Sequence, residues 1–318
     1  MTAAAVPIPI LVDCDPGIDD AVALLVACAS PELRLLGVTT VAGNVDLPQT
    51  TRNAGRVLAL AGRPDVPVAA GADRPLVRAS PGRAQHVHGE DGLHRAALPE
   101  PAAAPDPRPA VRLLADAIGG CAEPVTLVAI GPLTNVALLY AVYPAIAATL
   151  RRVVVMGGSA TGGNASEAAE FNVWSDPEAA YRVLTDPGLP RPVPTTMIGL
   201  DLTRQVPLGE ADLAVLDGGS PAGRAAAAML RPEAERQRRR TGEAALAVHD
   251  AVAVASVLRP GLLRTGPATV TVDCSDGPGR GATAVRTAMD QSWSRVALEA
   301  SARDLVDVIV RRVADYRW

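Results

Sequence analysis

Asp13, Asp15, Asp19 and Asp20 place four carboxylates within the run Asp13-Cys14-Asp15-Pro16-Gly17-Ile18-Asp19-Asp20. The run follows a strand-length apolar segment, Ile8 to Val12, and precedes a helix-length one, Ala21 to Ala29. The carboxylates therefore stand at the carboxyl end of a first strand, the edge where open α/β sheets bind ligands. Helix capping accounts for one or two of them, because an Asp at a helix start accepts first-turn N–H groups and complements the dipole. Four close carboxylates repel one another, and a bound cation is the economical way to keep several ionised. An all-oxygen donor set favours a hard ion, Ca²⁺ or Mg²⁺, over zinc.

The elements that must position this cluster follow a βαβα alternation. Strands are expected at Ile8 to Val12, Leu33 to Thr40, Val125 to Ile130, Val153 to Met156 and Val193 to Ile198. Helices are expected between them at Ala21 to Ala29, Thr50 to Ala61, Val111 to Ile118, Leu133 to Tyr140 and Pro177 to Leu184. Beyond Asp201 the rhythm loosens, with helices at Glu210 to Leu216, Ala222 to Arg240, Ala251 to Leu258 and Ala302 to Ala314, and strands near Ala268 to Val272 and Arg295 to Ala300. The pattern predicts one doubly wound α/β domain over residues 1–318, a mostly parallel open sheet with helices on both faces. The Pro/Gly-rich stretch 71–109 sits inside the alternation and is expected to be a long loop with a role at the site rather than a linker. The run Arg231 to Arg240 is expected to be a solvated helix face.

Composition narrows the function. All 30 basic residues are Arg, and the formal net charge of −4 argues against nucleic acid as a partner class. Aromatic residues are only 3% of the chain, so a stacking platform has few candidates; Trp174, Trp293 and Trp318 fall at no position that assigns them one. Cys14, Cys28, Cys121 and Cys274 are scattered without CxxC spacing and read as thiols of a reducing compartment. The N-terminus lacks a basic leader, and the apolar run Ala21 to Ala29 is far short of the ~20 residues that span a membrane. A cytoplasmic location without membrane contact is expected.

The run DCDPGIDD resembles the DxDPGxDD signature of the nucleoside hydrolases, the inosine-uridine preferring nucleoside N-ribohydrolase family. Haloacid-dehalogenase phosphatases also place DxD at a first strand, but they continue with Gly-Thr, whereas this chain continues with Pro-Gly and a second acidic pair. Further motifs agree in order: VAGN at Val41 to Asn44, HVHGEDGLH at His86 to His94, AIGPLTN at Ala129 to Asn135, the segment Met156 to Ala180, and His249-Asp250. The resemblance implies a Rossmann-like nucleoside hydrolase fold and cleavage of the N-glycosidic bond of ribonucleosides to free base and ribose.

It further implies that Asp15, Asp20, the Ile130 carbonyl and Asp250 bind Ca²⁺. Asp19 is then the general base for the attacking water, and Asp13 stands behind the ligands. Asn44, Asn164, Glu170 and Asn172 hold the sugar, His249 serves the departing base, and His88 is a second contact to sugar or base. A small-molecule nucleoside is the expected partner, with a homodimer or homotetramer as the family's usual assembly. Three departures stand out: His94 and Arg95 follow Gly92-Leu93 where the family favours a small or acidic residue, no Tyr precedes His249, and aromatics are scarce. The presence of His249 resembles the inosine-uridine or pyrimidine-preferring type. A modified nucleoside or other N-ribosyl compound as substrate, and a catalytically silent ribose-binding protein, are the competing readings.

Overall fold

The computed structural model describes residues 6–79, 82–287 and 293–318. Part of the N-terminal stretch and two residues of the 71–109 loop lie outside the described residues.

Strands β1 (Ile8–Cys14), β2 (Leu33–Thr40), β3 (Val68–Ala70), β4 (Thr126–Ala129), β5 (Arg152–Met156) and β6 (Thr195–Ile198) form the parallel part of the main sheet. The short pair β7 (Pro207–Leu208) and β8 (Leu246–Ala247) makes a separate antiparallel ribbon. Strands β9 (Leu263–Val272), β10 (Thr283–Thr287) and β11 (Ser294–Ala300) complete the main sheet, in the order β10-β9-β11-β6-β5-β4-β1-β2-β3. β9 runs antiparallel to both of its neighbours, while β11 pairs parallel with β6. The sheet is thus mostly parallel, as the alternation predicts. Its strands β1, β4 and β5 are buried almost throughout, which is why they read as continuous apolar runs.

The chain winds outward from β1 through β2 to β3, then returns to lay β4 on the other side of β1. That reversal leaves a crevice at the carboxyl ends of β1 and β4, the place where doubly wound sheets bind ligands. In register, Asp13 of β1 stands between Thr39 of β2 and Ala129 of β4.

Helices before the midpoint are α1 (Ile18–Cys28), α2 (Leu47–Leu60), α3 (Gln85–His88), α4 (Ala110–Gly120), α5 (Thr134–Val142) and α6 (Pro144–Ala147). After it come α7 (Phe171–Ser175), α8 (Pro177–Leu184), α9 (Leu200–Thr203), α10 (Glu210–Asp217), α11 (Pro221–Thr241), α12 (His249–Leu258) and α13 (Ala302–Ala314). They cover both faces over two apolar clusters, one including Val12, Leu24, Val128 and Val254, the other Leu11, Leu127, Leu139 and Val155. Among the described residues no helix is long and apolar enough to cross a membrane.

Two helix starts differ from expectation in a way that matters. α1 begins at Ile18 rather than Ala21, and α12 at His249 rather than Ala251. Asp19, Asp20 and Asp250 therefore lie within first helical turns, where unpaired N–H groups and the dipole favour negative charge. Asp20 also closes the α1 start: its Oδ2 accepts from Gly17 N (3.0 Å) and its Oδ1 from Asp15 N (3.1 Å). Packing of α1 along α12 then carries the two first turns to one place.

Candidate active site

Asp19, Asp20 and Asp250, all buried, each offer a carboxylate oxygen within 4.8 Å of the others at the bottom of a cleft of ≈ 1110 Å³. Asp15 stands beside this trio on the end of β1. Its Oδ2 accepts from Asn44 N (2.7 Å), while its Oδ1 is buried without a hydrogen-bond partner. Two glycines make room for this carboxylate: a β-carbon on Gly43 would lie 2.0 Å from Asp15 Oδ2, and one on Gly131 would lie 2.6 Å from Oδ1. The VAGN and IGPLTN motifs therefore have a packing reason for their glycines, not merely a turn.

Electrostatics point to a cation. Burial is the first cause that raises every acid here; for Asp15 the Asp20 charge follows, and for Asp250 the Asp19 charge. Both rise well above the carboxylate range, and Asp20 is pushed up to about 7 by burial and the neighbouring Asp19. Burial and mutual repulsion disfavour the charged form of these carboxyls, and a divalent ion with oxygen preference fits the donor set and the orphaned Asp15 Oδ1. Asp13, raised to about 7 by burial, is set back from the cleft and accepts from Thr39 Oγ1 (2.5 Å) and Asn135 Nδ2 (2.8 Å).

The remaining expected residues line the same cleft. Asn44 donates through Nδ2 to Asp15 O and Asp20 Oδ2 (both 3.1 Å), leaving its Oδ1 without a partner among the described residues. Asn172 donates through Nδ2 to Ile130 O (2.9 Å) and Met156 O (3.2 Å), and its Oδ1 is likewise left over. Glu170 caps α7, accepting from Asn172 N and Val173 N, and also receives Gly158 N (3.0 Å). Asn164 Oδ1 accepts from Phe171 N (2.9 Å), which frees its Nδ2 for the cleft. The structure brings all eleven expected residues to one region. The closest carboxylate trio contains Asp19, with Asp15 adjacent to it.

Two imidazoles face the acids. His88 Nδ1 accepts from Ile18 N (3.2 Å) and lies 3.9 Å from Asp19 Oδ1. Because Nδ1 is an acceptor, the ring carries its proton on Nε2, and burial lowers its pKa to about 3. His249 Nδ1 shares a 2.7 Å hydrogen bond with Thr203 Oγ1, leaving Nε2 for the cleft. Burial lowers its pKa as well, opposed by the charge of Asp19.

Several contributors escaped the sequence reading. Asn135 joins Asp13, Thr40 O and Ala72 N; its place at the end of GPLTN was the available signal. Asn53 ties Pro16 O to Asp91 O, linking the acidic loop to the 71–109 loop, with no local signal at all. The 71–109 loop supplies Arg83, His86 and His88 to the cleft. Trp174, to which the sequence assigned no stacking role, lines the cleft together with Phe171. The run Arg231 to Arg240 divides: Glu235, Arg238 and Arg239 are exposed, as a solvated face requires, whereas Glu233, Arg236, Gln237 and Arg240 line the cleft wall. A polar wall facing a wet cleft has the same pattern as a polar face facing bulk water.

The model of a family described as inosine-uridine preferring nucleoside hydrolase matches residues 10–309. The chain belongs to that family. It is thus a nucleoside hydrolase, a member of an N-glycosyl hydrolase family. The pyrimidine-specific ribonucleoside hydrolase RihA of Salmonella gallinarum is 38% identical over 314 residues, covering 97% of this chain and 99% of the relative. The RihA of Photobacterium profundum is 50% identical over 205 residues, a span of 64% of either chain. Among solved structures, the purine-preferring ribonucleoside hydrolase from Gardnerella vaginalis superposes with a TM-score of 0.88 at 28% identity, covering 96% of this chain and 98% of that one. The names of these relatives differ in the base they prefer.

Proposed function

We propose that this nucleoside hydrolase cleaves the N-glycosidic bond of pyrimidine ribonucleosides, releasing base and ribose. The observation that carries this reading is the meeting of Asp19, Asp20 and Asp250 at the floor of a cleft whose walls hold His88 and His249. The pyrimidine assignment rests on the 38% identity with the Salmonella RihA over nearly the whole chain. A cytoplasmic location, a single domain over the whole chain and a homodimeric or homotetrameric assembly belong to the same reading.

Asp15, Asp20, Asp250 and the Ile130 carbonyl are the groups that would hold Ca²⁺, which when bound supplies positive charge for acidifying a water and orienting sugar hydroxyls. Asp19 removes a proton from the attacking water: its Oδ1 is buried without a hydrogen-bond partner, and burial raises its proton affinity toward neutral pH. The water oxygen bonds to C1′ as the C1′–N bond breaks, and the electron pair leaves with the base. Asn44 Oδ1 and Asn172 Oδ1 accept from sugar hydroxyls, and Asn164 Nδ2 donates to one. The buried Glu170 adds negative potential beside the positive charge that develops on the ring. The Thr203 hydroxyl, donating to His249 Nδ1, holds the tautomer whose Nε2–H meets the departing base.

The test is release of reducing sugar from uridine, cytidine, inosine, adenosine and guanosine, with and without EGTA followed by Ca²⁺. Hydrolysis fastest on uridine and cytidine, lost on chelation and restored by Ca²⁺, is expected. Saturable binding without turnover in calorimetry would replace this reading with a silent ribose-binding protein. Turnover confined to another N-ribosyl compound would replace the substrate.

A further inference from the structure

His94 and Arg95 are the two non-glycine residues with positive φ among the described residues, at +50° and +56°. Side chains with a β-carbon rarely adopt this conformation, so a local structure must hold both in place. Three things do so. Leu93, fully buried, anchors the turn. Asp91 Oδ1 accepts from Leu93 N (3.1 Å) and Arg95 N (3.0 Å). Asn53 fastens Asp91 O to the acidic loop.

The strained turn aims His94 backwards. Its backbone N–H donates to His88 O (3.1 Å), and its Nε2 lies 2.8 Å from Val87 O, which can only accept. His94 thereby serves the last two carbonyls of α3, the single turn that carries His88 into the cleft. The space around His88 is tight on the other side as well, since a β-carbon on Gly17 would lie 2.6 Å from His88 Nδ1.

We infer that His94 is a positioning residue for His88, holding the α3 turn so that the His88 ring faces the substrate; this rests on the proposed contact of His88 with sugar or base. His94→Leu removes the Nε2 donor, and His94→Gly removes both the donor and the backbone strain, so the pair remains informative if Leu does not fold. His94→Gln restores an amide N–H at a similar reach.

Steady-state uridine hydrolysis and ¹⁵N-edited spectra of the His88 ring are measured for each variant, alone and with His88→Ala. Leu and Gly should raise KM about fivefold, the worth of one well-placed hydrogen bond, with kcat within about twofold of the parent. Gln should return KM to the parent value, and neither Leu nor Gly should add to the effect of His88→Ala. Parental KM in the Leu and Gly variants, or an undiminished effect on the His88→Ala background, overturns the inference. If His88→Ala itself leaves the kinetics unchanged, the substrate contact of His88 is what fails. The ring resonances then decide: a shift in the Leu and Gly variants supports positioning by His94, and an unchanged spectrum overturns it.

Discussion

The floor and the wall of the cleft are built differently. On the floor, Asp15, Asp20 and Asp250 are buried, and Asp15 and Asp20 are held by backbone N–H groups of the loops that follow β2 and β1. On the wall, the C-terminal half of α11 is organised by its own side chains. Glu233 accepts from Arg236 Nη2 (2.8 Å) and Gln237 Nε2 (3.0 Å), and Arg240 Nη2 donates to Gln237 Oε1 (3.0 Å). A floor fixed by main chain cannot shift without disturbing the sheet, whereas a wall made of long side chains on one helix can change without consequence for the fold. Chemistry common to a family suits the first, and discrimination among bases suits the second.

Breaking the floor should cost most. Asp19→Asn keeps the shape but removes the base, and kcat on uridine should fall about 10²- to 10⁴-fold with little change in KM. An unaltered rate would remove Asp19 from the mechanism. Gly43→Ala pushes a methyl into the Asp15 carboxylate, and Ca²⁺ affinity by calorimetry should drop about 10- to 100-fold, the usual effect of disturbing a ligand's support.

Breaking the wall should cost less and act differently. Arg240→Ala releases one side of the Gln237 amide, so KM should change by no more than about tenfold, and unequally between uridine and cytidine, while kcat holds. An equal loss of kcat on every base would erase the distinction between floor and wall.

The smallest effect lies outside both, where the 71–109 loop meets the sheet edge at the Ala69–Asp106 bridge. Hydrogen bonds from Arg108 lower the Asp106 pKa to about 2. A depressed folded-state value means that the stabilisation is present above the unfolded pKa near 4 and is lost as pH falls through about 2. The Arg108 side chain is 41% exposed, so solvent screening limits the gain to about 0.5 kcal/mol. Asp106→Asn should therefore lower stability by that amount in urea melts at pH 6, with the difference vanishing near pH 2.

Elements with their own local signals were legible. α8 and α13 fall where the pattern placed them, the first because Asp176 caps it ahead of Pro177, the second because its apolar stripe is regular. β3, three residues long, and the half-exposed edge strand β10 carry too little periodicity to be read. The α1 and α12 starts were placed late because Asp19, Asp20, His249 and Asp250 interrupt the apolar pattern while remaining helical.

The sequence by itself determined the chemistry available: a dense carboxylate run at the end of a first strand, two candidate imidazoles, and an ordered set of motifs that names a family. Only the tertiary structure decided which groups meet. Asp250 joins Asp19 and Asp20 because α12 packs on α1, and Asn172 reaches Ile130 O because β5, which leads to α7, pairs beside β4. Residue types and spacing report local preferences, but a site assembled from distant turns depends on packing and strand order, which no local window contains.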